Sequence, residues 1–113
     1  MKIDIITIFP EFFEGTFRCG IIGKAIEHGI VDIRVVNLRD YADPPHRTTD
    51  DYPYGGGAGM VMKVEPIVSA IEDLKGKNTW VILLSPQGSV FTQAKALELS
   101  KKSHIMLVCG RYK

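Results

Sequence analysis

The stretch TWVILLSPQGSVFTQAKALELSKKSHIMLVCG, Thr79 to Gly110, decides the fold. TWVILL is an apolar run of strand length and reads as a buried strand, and SPQG interrupts it. TQAKALELS supplies a helix with Thr92 as its N-cap, and HIMLVCG returns to an apolar strand. Two strands joined through a helix are expected to lie parallel, since parallel neighbours need a crossover, and the right-handed crossover is the default.

Working outward, KIDIITI (2–8) alternates and is rich in isoleucine, as a strand should be, and Pro10 stops it where Glu11 can open a helix. GIIGKAIEHG (20–29) carries Ile21, Ile22, Ala25 and Ile26 at helical spacing. His28 falls in the last turn, where it interacts with the helix C-terminus, and Gly29 sits where a C′ glycine belongs. IVDIRVV (30–36) is a second strand, and VEPIVSAIEDLK (64–75) places Val64, Ile67, Val68, Ile71 and Leu74 on one helical face before KGKN ends it. The order is β-α-β-loop-α-β-α-β. It predicts an α/β fold with a mostly parallel sheet and helices on both faces. Phe12, Phe13 and Trp80 are expected in the core. Past Leu38 the periodicity vanishes for roughly 25 residues, a length at which an unstructured connection is usually functional.

A chain of 113 residues fits one domain, and no repeat or linker divides it. Hydrophobic residues make up 45% and charged residues 24%, and no apolar run is long enough to span a bilayer. Fourteen Lys plus Arg against thirteen Asp plus Glu leave a net charge of +1, so any RNA or DNA contact must be local. Cys19 and Cys109 form no CxxC pair, and the N-terminus turns acidic before a signal sequence develops. A cytosolic (cytoplasmic) protein with reduced thiols is expected.

In open α/β sheets, ligands bind outside the carboxyl ends of strands, near the point where strand order reverses. SPQG (85–88) and CGRY (109–112) occupy such positions, and each also reads as an ordinary βα turn. GIIGKA lacks the spacing and the Ser or Thr of a P-loop, and GGGAG does not follow a strand as GxGxxG should. The long loop contains HRTTDDYPYGGGAGMVM (46–62), whose glycines require close backbone approach or positive φ. Asp50 and Asp51 suit either a general base or a solvated Asx-turn. His46 and Arg47 suit either a phosphate grip or an ion pair with those aspartates. Tyr52 and Tyr54 either stack on a base or pack the loop onto its own domain. His28 and His104 are not expected to bind metal, and Cys109, ending an apolar strand, reads as an inert buried thiol. No metal site is expected.

Taken together, IFPEFF, GIIGKAIEHGIV, LRDYA, HRTTDDYPYGGGAGMVM, LLSPQG and LVCGRY resemble the bacterial tRNA (guanine-N1)-methyltransferase family, of SPOUT class, in order and over essentially the whole chain. The resemblance implies a parallel α/β domain with a deep trefoil knot, a homodimer with active sites at the subunit interface, S-adenosylmethionine as methyl donor, and tRNA guanosine 37 as acceptor. By motif position it implies that Leu83, Leu84, Ser85, Pro86, Gly110 and Tyr112 line the cofactor pocket, largely through backbone atoms. Gly59, with Ala58 beside it, would approach the same pocket. His46, Arg47, Asp50, Asp51 and Arg111 would lie where RNA and the extruded guanine are handled, since base chemistry requires a flipped nucleotide, and Tyr54 would contribute by packing.

The family continues after GRY with glutamate and glycine, whereas Lys113 follows here. Its catalytic aspartate, partner arginine, remaining cofactor loop and second half of the knot lie beyond that point. Residues 1–113 are therefore expected to be the N-terminal portion of a single SPOUT-type methyltransferase domain, inactive alone. N1 of guanine carries a proton that a base must remove. Asp50 is the local candidate for that base, its other role being to orient RNA or neighbouring groups. The competing readings are a non-catalytic α/β RNA-binding or dimerisation module and an unrelated nucleotide-binding protein.

Overall fold

A computed structural model describes residues 1–42, 50–51, 61–62 and 64–109. Strand β1 (Lys2–Thr7) leads through a 3-10 turn (Pro10–Phe13) to helix α1 (Gly20–Glu27) and strand β2 (Asp32–Asn37). A second 3-10 turn (Leu38–Tyr41) follows, then the short strands β3 (Asp50–Asp51) and β4 (Val61–Met62). Helix α2 (Val64–Leu74), strand β5 (Thr79–Leu84), helix α3 (Gln93–Leu99) and strand β6 (His104–Cys109) complete the order. The four long strands form one sheet in the order β2-β1-β6-β5, and every pairing is parallel. The expected α/β sheet is therefore present.

Helix ends follow the local chemistry. At the end of α1 the Ile30 amide donates to the Ala25 carbonyl at 2.9 Å and the Gly29 amide to the Ile26 carbonyl at 3.0 Å. That reciprocal pattern is a Schellman motif, and Gly29 meets its left-handed requirement with φ of 73°. His28 Nδ1 donates to the Lys24 carbonyl at 2.8 Å, as its position in the last turn suggested. Thr92 caps α3, its Oγ1 accepting from the Lys95 amide at 3.1 Å.

Side chains alternate across the sheet, so each face has its own set. On one face Ile6, Met106 and Val108 pack with Ile8, Leu38 and the helical Ala70 into a buried cluster, flanked by Val36, Tyr41, Ile67, Ile71 and Leu74. On the other, Ile3, Ile82, Ile105 and Leu107 face a cavity bordered by Ala96 and Leu99 of α3. Helices thus stand on both faces.

Four expectations need correction. TWVILL is not a buried strand: β5 is the sheet edge, and Trp80, Val81, Leu83 and Leu84 are exposed. Trp80 and Phe12 are not core; Phe12 is 75% exposed because the helix opened by Glu11 lasts one 3-10 turn and buries nothing. Phe13 is half-buried, stacked on Phe17 with ring centroids 5.9 Å apart. The buried face of α2 is centred on Pro66 and Ala70 with Ile67, Ile71 and Leu74, which turns Val64 and Val68 to the exposed flank. Finally, the aperiodic region contains a ladder, β3 against β4 antiparallel, with Asp50 opposite Met62 and Asp51 opposite Val61.

Candidate functional site

Strand order places the ligand edge. The chain steps outward from β1 to β2 but inward from β5 to β6, so order reverses between β1 and β6. The carboxyl ends of β1, β6 and β5 surround that switch point, where open α/β sheets take their ligands.

At the end of β5 the chain reverses at Ser85–Gly88. The Gly88 amide donates to the Ser85 carbonyl at 3.2 Å, and the Gln87 amide to Ser85 Oγ at 3.1 Å, so one serine closes the turn twice. Just before it, Leu83 is 64% exposed. A strand-end leucine left in water presents apolar surface that a ligand or a further segment of protein can cover. At the end of β1, Thr7 Oγ1 accepts the Phe9 amide at 3.0 Å, fixing the exit of the chain toward Pro10. At the end of β6, Cys109 is half-buried, and burial pushes its thiol pKa up.

The cavity under β5 and α3 has a volume of about 1330 Å³ and is lined by Leu83, Leu84, Ser85 and Pro86 at the ligand edge as well as by the sheet face. It exceeds the roughly 300–1,000 Å³ of an enclosed ligand pocket, so it is an open trough of which one end coincides with the expected cofactor positions. Leu83, Leu84, Ser85 and Pro86 are thus brought together, and Asp50 stands in β3 opposite Met62. His46, Arg47, Tyr52, Tyr54, Ala58, Gly59, Gly110, Arg111 and Tyr112 lie outside the described residues. Among the described residues no group of three His, Cys, Asp or Glu side chains is placed to hold a metal ion. No helix among them is long and apolar enough to cross a membrane.

Sequence reasoning missed a polar line across the sheet. Asp4, fully buried, accepts from Arg34 Nε at 2.9 Å and from His104 Nε2 at 2.7 Å. His104 Nδ1 lies 2.7 Å from Thr79 Oγ1, which itself accepts the Gly76 amide at 2.6 Å. With Nε2 carrying the imidazole proton, the threonine hydroxyl donates to Nδ1 and every group is satisfied. Burial alone would raise the Asp4 pKa, but the hydrogen bonds from Arg34 and His104 outweigh it and hold the carboxyl below its usual range. The hydroxyl, imidazole and carboxylate are spaced like a catalytic triad, yet they lie at the amino end of the strands, away from the ligand edge. Their role is to tie β5, β6, β1 and β2 together. The available signal was Asp4 itself, a lone carboxylate inside an isoleucine-rich strand.

Fold and strand order together define a parallel α/β protein with a candidate ligand edge at the carboxyl ends of β1, β6 and β5. The family model described as "tRNA (Guanine-1)-methyltransferase TrmD" matches residues 1–113, and the chain belongs to that family. A tRNA (guanine-N(1)-)-methyltransferase of Dictyoglomus turgidum is 58% identical over 112 residues, covering 99% of this chain and 46% of that protein. The enzyme of the same name from Bacillus subtilis is 51% identical over 115 residues, covering 99% and 47%. The chain spans about half the length of the curated relatives it matches. The motif resemblance and the family agree.

Proposed function

We propose that residues 1–113 form the N-terminal portion of a single SPOUT-type, trefoil-knot domain in a tRNA methyltransferase that transfers a methyl group from S-adenosylmethionine to N1 of guanosine 37. The observation that carries this reading is the family match along all 113 residues together with relatives of that name at 51–58% identity. The chain fits the donor at the ligand edge: exposed Leu83 and Leu84 give apolar surface for a purine, and the Ser85–Gly88 turn brings backbone close to it. Gly59, Gly110 and Tyr112 complete this pocket in the proposal. Bound there, S-adenosylmethionine supplies an electrophilic methyl carbon.

This chain's own residues bind and position. Much of the rate of such a transfer comes from alignment of donor and acceptor, which a rigid strand end provides. His46, Arg47 and Arg111 hold RNA, and Asp50 orients the extruded guanine or the RNA around it. The base that accepts the N1 proton is supplied by the family segment that follows GRY. The working protein is a cytoplasmic homodimer with tRNA as its partner.

The test is methyl transfer by the full-length protein from methyl-labelled S-adenosylmethionine to tRNA transcripts carrying guanosine or adenosine at position 37. Transfer to the first alone is expected. Donor binding without transfer to either transcript overturns the reading, and tRNA binding without donor binding favours a non-catalytic RNA-binding module.

A further inference from the structure

The formal charge of +1 conceals an uneven distribution. The segments that enter β5 and β6 read KGKN (75–78) and SKKS (100–103): four lysines in eight residues and no carboxylate. Thr79 pairs with His104 in register, so the two segments emerge side by side at the amino-terminal edge of the sheet. Lys102 Nζ lies 4.2 Å from the centroid of the Trp80 ring, which remains 46% exposed. Lys75, Lys77 and Lys101 are exposed, and none of the four lysines has an ion-pair partner among the described residues. The carboxylates in the last turn of α2 before them are Glu72 and Asp73, and Asp73 is taken by the Tyr41 hydroxyl. Glu98, on α3, is paired with Lys95.

We propose that this edge is a second RNA-contact surface, on which Lys75, Lys77, Lys101 and Lys102 hold the phosphate backbone of the tRNA away from the nucleotide that is modified. The inference rests on the methyltransferase reading for the identity of the RNA. Its location is separate from the ligand edge, because a six-residue strand sets the two edges about 20 Å apart. Unpaired lysines beside an exposed indole match a polyanion backbone that is held by charge rather than read by base edges. A phosphate-only contact positions the RNA and carries no sequence information, so this edge adds affinity equally to any tRNA of the same shape. Lysines that follow helices α2 and α3 also offset the helix dipoles, a role that would show in stability rather than in salt dependence.

The experiment measures tRNA affinity of the full-length protein against salt concentration, for wild type and for the combined variant Lys75→Ala, Lys77→Ala, Lys101→Ala and Lys102→Ala. The double variants Lys75→Ala/Lys77→Ala and Lys101→Ala/Lys102→Ala are read separately should the combined variant fail to fold. The expected result is affinity weaker by about tenfold or more near 0.1 M salt, with the slope of log K against log salt reduced by about 2 to 4. The loss is the same for transcripts with guanosine or adenosine at position 37, S-adenosylmethionine affinity is unchanged, and Lys→Arg replacements restore binding. Lys95→Ala on α3 leaves the slope as it was. A fall in thermal stability with an unchanged salt slope overturns the proposal, leaving the dipole role. Failure of the wild-type protein to bind or methylate tRNA overturns the methyltransferase reading instead, and the RNA surface with it.

Discussion

The Tyr41 hydroxyl donates to Asp73 Oδ2 at 2.6 Å, joining the 3-10 turn that follows β2 to helix α2 across thirty-two residues of chain. Leu38, in the same turn, is fully buried, so the turn is held by a polar clasp outside and an apolar one inside. The carboxylate beside it pushes the Tyr41 pKa up to about 12, with burial adding to the effect. The folded state therefore holds this proton more tightly than the unfolded chain, whose tyrosines titrate near 10. The resulting stabilisation is fully present below pH 10 and is lost as pH rises through about 12. An ultraviolet titration is expected to show Tyr41 ionising late, and Tyr41→Phe to remove that late step. The variant should lose about 1 kcal/mol or less, since the bond is exposed. A late step that survives in the variant would assign it elsewhere.

Asp4 makes the opposite prediction. Its folded pKa is depressed, so its contribution is present above the unfolded carboxylate value and is lost as pH falls through the lower folded one. Asp4→Asn keeps the shape and removes the charge, but its single amide oxygen can accept from only one of Arg34 and His104, and its NH2 group faces the other donor. A loss of about 2 kcal/mol at neutral pH is expected, below the full cost of breaking a buried pair because Arg34 is 46% exposed and regains water. Denaturant unfolding at pH 7 and pH 3 checks this. The gap between wild type and variant should narrow at the lower pH, and a constant gap would show that shape rather than charge is what matters.

The glycines of GIIGKA are explained by backbone geometry rather than by phosphate binding: Gly20 by its positive φ of 66°, Gly23 by packing. A Cβ on Gly23 would stand 2.8 Å from the Arg18 carbonyl carbon and 3.0 Å from its oxygen. Backbone cannot swing aside as a flexible side chain can, so Gly23→Ala must push α1 off the segment before it. A cost of about 1–3 kcal/mol is expected. Thermal unfolding measures it, and an unchanged midpoint would mean that α1 shifts freely.

What was legible in the sequence was what depends on neighbours along the chain. The apolar runs of β1 and β6, the Thr92 cap and the Gly29 terminus all rest on residues a few positions apart, and each stands where its local pattern put it. What was hidden depends on sheet order and register. TWVILL looks interior because it is apolar, and only the order β2-β1-β6-β5 reveals it as an edge. The Asp4 line joins residues thirty and one hundred positions apart, which no local window contains. At the ligand edge the exposure of Leu83 follows from the same edge position, so the misread strand and the open trough have one cause.

That edge gives the most direct check on the proposed donor site. Leu83 is 64% exposed and Leu97, on α3, is 60% exposed, so a glutamate at either costs little stability. Their positions differ: Leu83 borders the trough at the end of β5, whereas Leu97 does not line it. If the trough end receives the adenine of the donor, Leu83→Glu places a carboxylate where an apolar ring must lose its water, and binding has to desolvate that charge. Calorimetric titration of the full-length protein with S-adenosylmethionine should then show affinity reduced by about tenfold or more for Leu83→Glu and unchanged for Leu97→Glu. Equal affinities in the two variants would remove Leu83 from the donor site and leave its exposed side chain as surface for another segment of protein.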